Sequence, residues 1–270
     1  MSTFSTCTSS TRPGSPANGD VLFETDTQSV ILWDGTNWRG YGNDGIPFAK
    51  GSTSADFDGS DDYISIADAD NLSFGDGSTD SSFSLSAWIN PDTVAGFRIL
   101  AKSTPTNAEY IWSCDAGGDL RVWICDNNLS NSIGVEDNTN SVTTGWQHVV
   151  LTYNGSGSNS GIKLYRNNNL LSTTGVNSGS YTAMENLAMP LEIGRLNTSV
   201  PTFADGHMDD VAVIAKELSA SEIDKIYNNN IYPSETVSLW RFEGNANDSR
   251  GSNNGTGQNG VVLNSTDVRS

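Results

Sequence analysis

Two tryptophans, a tyrosine and an arginine between Glu109 and Cys125 make the strongest case for ligand chemistry in this 270-residue chain. Tyr110 to Cys114 and Asp119 to Cys125 read as two strands around the turn Asp115-Ala116-Gly117-Gly118. With Cys114 opposite Asp119, Tyr110, Trp112, Arg121 and Trp123 share one face, and Ile111, Leu120, Val122 and Ile124 the other. If the aliphatic face packs inward, the rings point outward, where flat aromatics beside a guanidinium suit stacking on sugar rings and hydrogen bonding to hydroxyls. The alternative places the rings inside a sandwich or under a subunit contact. His148 lies in the run Trp146 to Tyr153, on the face of Trp146 and Val150, where a packed or edge histidine belongs. His207 precedes two aspartates, but no serine or cysteine nucleophile can be paired with it from the sequence. Cys7, Cys114 and Cys125 are odd in number, so at least one stays unpaired within the chain. In the hairpin register Cys114 and Cys125 lie roughly 20 Å apart at ~3.4 Å per residue.

These side chains need a frame, and the composition describes one. Lys and Arg number 14 against 32 Asp and Glu, a formal net charge of -18, so nucleic acid is excluded as a natural partner by repulsion. Hydrophobic residues at 36% and aromatics at 9%, with only 17% charged residues, fit a folded β protein rather than an acidic disordered tail. The opening Met1-Ser2-Thr3-Phe4 has neither a basic nor an apolar signal region, and the absence of a long apolar run implies no membrane insertion. Residues 1–19 form a Ser/Thr/Pro-rich arm, followed by a hairpin over Val21 to Trp33 with its turn near Asp26 to Gln28. From Ile46 onward, short Val/Ile/Phe/Tyr/Trp runs recur between Asn/Gly/Ser/Asp clusters. Without long helical periods between them, the expected class is all-β, an antiparallel jelly-roll sandwich. One helix is expected over 219–228, with Ser219 as N-cap, Glu222 completing a capping box, and Leu218 and Ile223 closing a hydrophobic staple. The expected division is residues 1–45 as an attachment module and 46–270 as the jelly roll, completed by 233–270.

Five motifs together resemble the laminin-G-like jelly rolls of the concanavalin A-like lectin/glucanase superfamily. They are Phe57-Asp58-Gly59-Ser60-Asp61-Asp62-Tyr63-Ile64, Ser84-Leu85-Ser86-Ala87-Trp88-Ile89, Gly145-Trp146-Gln147-His148-Val149-Val150, Gly206-His207-Met208-Asp209-Asp210-Val211 and the Leu218 to Tyr227 segment. Leu239-Trp240-Arg241-Phe242-Glu243-Gly244 looks like the segment that opens such a domain, yet it comes last here. It is expected to fill the first-strand position in its own subunit or in a neighbour. The hairpin around Phe23-Glu24-Thr25-Asp26-Thr27 and Trp33-Asp34-Gly35 is similar to short modules of tailed-phage structural proteins.

The resemblance implies a structural Ca²⁺ in the loops, with Asp248, Asn253 and Asn254 joined by Asp209 as ligands. The same residues also serve as plain turn formers. Asp68-Ala69-Asp70 starts like an EF-hand, but Leu72 occupies a ligand position. Glucanases of the superfamily use carboxylates two residues apart on one strand, and the nearest match, Glu24-Thr25-Asp26-Thr27-Gln28-Ser29, has a serine in the third place and lies outside the jelly roll. The resulting expectation is a non-enzymatic phage virion protein, a capsid decoration or fibre adhesin. It would be homo-oligomeric, attached to other virion proteins through its arm, and display a domain for host glycans. The alternatives are a bacterial extracellular carbohydrate-binding or adhesion module, and a glycoside hydrolase.

Overall fold

The computed structural model describes residues 5–7, 11–17, 20–24, 29–33, 38–42 and 53–269. The chain forms two compact units, Met1–Lys50 with Ser221–Ser234, and Gly51–Ala220 with Glu235–Ser270. In the first unit, β1 (Ser5–Cys7), β2 (Val21–Glu24), β3 (Ser29–Trp33) and β4 (Trp38–Gly42) make one sheet in that order. β1 runs parallel to β2, while β2, β3 and β4 pair antiparallel, with Val21 opposite Leu32 and Trp33 opposite Trp38. The hairpin's turn, Asp26 to Gln28, lies outside the described residues. So does most of the Glu24 to Ser29 carboxylate stretch, of which only the strand ends Glu24 and Ser29 are described. The helix α1 spans Ala220–Asn229. It closes at Asn230 in the left-handed region (φ 56°), where the Asn230 N–H donates to the Ile226 carbonyl at 3.0 Å and the Ile231 N–H to the Lys225 carbonyl at 3.2 Å, satisfying the last carbonyls.

The second unit is a two-sheet sandwich. Its strands are β5 (Ser54–Asp58), β6 (Tyr63–Ile66), β7 (Phe83–Pro91), β8 (Arg98–Ser103), β9 (Ala108–Cys114), β10 (Leu120–Cys125), β11 (Ser132–Asp137), β12 (Gln147–Tyr153), β13 (Ile162–Arg166), β14 (Asn169–Leu170), β15 (Thr173–Gly175), β16 (Leu191–Ile193), β17 (Arg195–Leu196), β18 (Thr202–Phe203), β19 (Asp205–Ile214), β20 (Thr236–Trp240), β21 (Gly255–Gln258) and β22 (Val262–Ser265). One sheet runs β15-β11-β10-β9-β8-β16-β6-β21, the other β14-β13-β12-β7-β19-β5-β22 with β20 joined to β19, and β17 and β18 form a separate hairpin. Alternation drives the packing: Phe83, Leu85, Ala87 and Ile89 of β7 point inward, as do Val149, Leu151 and Tyr153 of β12. Each large side chain fully buried this way contributes about 1.5–3 kcal/mol of apolar transfer. The last strands serve both sheets of their own chain. β20 sets Trp240 opposite Val211, β21 pairs with β6, and β22 with β5.

The β9–β10 pairing departs from the expected register by one residue. Leu120, not Asp119, faces Cys114, so Trp112 lies opposite Val122 and Ile111 opposite Trp123. The turn is the cause. Asp115 Oδ1 accepts the Gly117 and Asp119 N–H groups at 2.7 and 3.0 Å, and the Asp115 N–H donates to the Asp119 carbonyl, which keeps Asp119 in the loop. A slip of one residue reverses every face of the second strand.

Candidate functional site on the outer face of the first sheet

The register correction divides the four predicted ligand-binding residues. Tyr110 and Trp112 are 0% and 1% exposed inside the sandwich, Tyr110 with its hydroxyl donating to the Leu72 carbonyl at 2.8 Å. Arg121 and Trp123 stand on the opposite, outer face, with the guanidinium 4.6 Å from the centre of the indole. Gly134, opposite Trp123 on β11, makes room for the ring: a Cβ there would lie 3.0 Å from the indole edge. Beneath and beside Trp123, Ala101, Ala108, Ile111 and Cys125 form a small apolar floor that also takes Leu196. At one end of this floor opens a cavity of about 200 Å³, lined by Pro105, Ala108, Ile111, Asn128, Leu129 and Leu196 among others.

The remaining outward positions are polar. Arg98 and Arg121 both lie opposite Ser113, one on each neighbouring strand. Glu192 lies opposite Ala101 and contacts Arg195 at 3.4 Å. Gly194 turns the chain between them with φ 84°, and a Cβ there would strike the Phe57 ring at 2.5 Å, so only glycine fits. The turn sets Arg195 over Tyr63 at 4.4 Å and near Phe203 at 5.9 Å. Burial pushes the Glu192 carboxyl up to about 7, with Arg195 pulling it back down. Among the described residues, six buried atoms on this face lack a hydrogen-bond partner: Arg98 Nη1, Ser103 Oγ, Ser113 Oγ, Arg121 Nε, Glu192 Oε2 and Arg195 Nε. A protein interior rarely leaves such groups unmade, so several on one face call for water or a ligand. Arg98, Ser113, Glu192 and Arg195 were not singled out from the sequence, because strands distant in the chain supply them. The alternation of polar and apolar residues in β8 and β16 was their only signal.

The predicted calcium ligands do not form an oxygen cage. Asp248 Oδ1 accepts the N–H groups of Leu239, Arg250 and Gly251, and Oδ2 that of Asn253. Asn254 Oδ1 accepts the Asp248 N–H, and the Asn253 amide donates to Ser238 and Asn71. Asp209 is buried 3.8 Å from the Arg269 guanidinium. A hard cation needs carboxylate oxygens turned toward it and away from positive charge, whereas Asp248, Asn253 and Asn254 hold a turn together and Asp209 faces Arg269. Two other carboxylate groups bring oxygens within 4.8 Å of one another, Asp58 with Asp61 and Asp62, and Asp115 with Asp119 and Glu136.

On the other sheet, His148 is fully buried, its Nε2 2.8 Å from Ser86 Oγ, and burial followed by the Arg269 charge lowers its imidazole to about 3. Ser86 is also fully buried, so the pair is sealed from any substrate. His207 lies 3.7 Å from Asp56 and 3.5 Å from Asp267. Cys114 and Cys125 are buried thiols pushed up to about 12 by burial, which removes the thiolate needed for reactivity.

Residues 58–224 match the laminin-G family model of the concanavalin A-like lectin/glucanases superfamily, and the chain belongs to that family. Its fold is that of a candidate carbohydrate-binding protein from Bacteroides ovatus, at 19% identity and a TM-score of 0.53 over 79% of this chain and 60% of the other, so it spans less than two thirds of that protein. It is also similar to a heptameric pentraxin from Limulus polyphemus, at 15% identity and a TM-score of 0.43 over 75% and 94% of the two chains. A further match is domain 4 of an extracellular arabinanase from Geobacillus stearothermophilus, at 16% identity and a TM-score of 0.41 over 59% and 70%. No curated protein sequence matches the chain.

Proposed function

We propose that the jelly roll is a non-enzymatic glycan-binding domain that holds sugar on the outer face of its first sheet. The observation that carries this reading is Trp123, half-buried beside the apolar residues Ala101, Ala108, Ile111 and Cys125, with the Arg121 guanidinium over its ring and unpartnered polar atoms of Arg98, Ser113 and Arg121 on the same face. The part of the indole left exposed takes the apolar side of a sugar ring, and the polar atoms around it take the hydroxyls. The superfamily and the fold shared with the Bacteroides ovatus protein support it. The test is a glycan array probed with the full chain and with Trp123→Ala. Binding by the wild type and its loss in a variant that melts normally are expected; a wild type that binds no glycan would defeat the reading.

The finer placement is a virion. The N-terminal strands, similar in sequence to tailed-phage modules, would attach the chain to other capsid or tail proteins, and several copies would present the jelly roll to host-surface glycans. The four-stranded sheet that precedes the sandwich supports an attachment role.

A further inference from the structure

Ser113 Oγ is buried and has no partner, and its residue stands on β9 directly opposite two arginines, Arg98 on β8 and Arg121 on β10. Arg121 has a carboxylate neighbour, Glu136 at 3.6 Å, and Asp115 and Asp119 bring their oxygens near that same glutamate. Arg98 differs. Its Nε donates to Thr202 Oγ1 at 2.8 Å and its Nη1 is buried without an acceptor. Among the described residues no carboxylate forms an ion pair with it. Burial lowers its pKa, and the Arg121 charge lowers it further, so the two cations repel one another across the serine. A half-buried guanidinium with an open donor, facing a second guanidinium and a spare hydroxyl, is stabilised when an oxyanion bridges them.

We propose that Arg98, Ser113 and Arg121 form an anion subsite, and that the glycan held on this face carries an acidic group, a carboxylate or a sulfate. This rests on the glycan reading for its ligand, but the subsite can be tested without it. Arg98 Nη1 and Arg121 Nε donate to the oxyanion, Ser113 Oγ donates from between them, and Trp123 takes the attached ring. Neutral sugars lose these charge-assisted bonds and keep the stacking.

The experiment measures melting of the full chain in matched concentrations of glucuronate, glucose 6-sulfate and glucose, at constant ionic strength. A rise of about 2–4 °C with an acidic sugar at saturation, and a smaller one with glucose, is expected. Stabilisation by glucuronate alone assigns a carboxylate, and stabilisation by both acidic sugars assigns a general oxyanion. Arg98→Gln is expected to melt higher than wild type without ligand, because the repulsion is relieved, and to lose the preference for acid. If Arg98→Gln fails to fold, Arg121→Gln serves the same purpose. Equal shifts in glucuronate, glucose 6-sulfate and glucose for the wild type overturn the subsite, even where Trp123-dependent binding of neutral glycans persists. Acid-specific shifts with no response to any neutral glycan leave the subsite standing and count against the general glycan reading.

Discussion

Glu192 ties the site to the pH dependence of the fold. Its carboxyl is raised to about 7 by burial, against the pull of Arg195, so the folded state prefers it protonated. A folded pKa above the unfolded one gives stability that is complete below the unfolded value and lost as pH rises through the folded value. Asp209 has the same sign: burial first and the Asp210 charge second raise it, while Arg269 and Arg241 oppose the shift. Asp58 and Asp76 have the opposite sign, lowered chiefly by the Ser60 and Thr79 N–H groups, and their contribution fades only below the ordinary carboxylate range. Resistance to urea is therefore expected to fall between pH 5 and pH 8, and Glu192→Gln to flatten that slope. A Glu192→Gln profile parallel to wild type would show that this carboxyl is not the titrating group. None of this was legible from the sequence, where Glu192 is one acid among 32, because its burial comes from strands about ninety residues upstream.

The strand-rich runs of the sandwich could be read from their spacing and alternation, and the helix, which begins at Ala220 directly after the predicted cap, from its capping box. The face assignment of a single hairpin could not. Local patterning gives β9 and β10 two good faces each, and only the Asp115 turn decides which residues oppose one another. That decision separates two tryptophans that look equivalent on paper. Trp112 fills the core beneath the sheet, so Trp112→Ala leaves a large cavity and is expected to cost about 3–5 kcal/mol of unfolding free energy. Trp123 is half-buried on a floor of small residues, so Trp123→Ala is expected to cost under about 2 kcal/mol. Guanidinium denaturation of the two variants measures both. A larger loss for Trp123 than for Trp112 would contradict the register and the outward-facing site with it.

The net charge of -18 constrains how the whole molecule presents its site. Like charge makes closely displayed copies repel one another, while three arginines, Arg98, Arg121 and Arg195, gather on one face of a chain with a large acidic excess. Such a molecule suits dense presentation on a scaffold, with selectivity set at short range where salt screens least. The N-terminal sheet is part of a separate compact unit, and its described part before Val21 carries a single cation, Arg12, against the single acid Asp20. That stretch can therefore meet a partner protein without carrying the acidity of the jelly roll with it. If the chain is a virion protein, mass spectrometry of gradient-purified phage particles will detect the full chain in stoichiometric amounts. Antibodies against the jelly roll are then expected to label intact particles, since the glycan face must be exposed to act. Particles that contain all other structural proteins and lack this chain would remove the virion placement and leave the proposed sugar-binding face to a free or cell-attached adhesin.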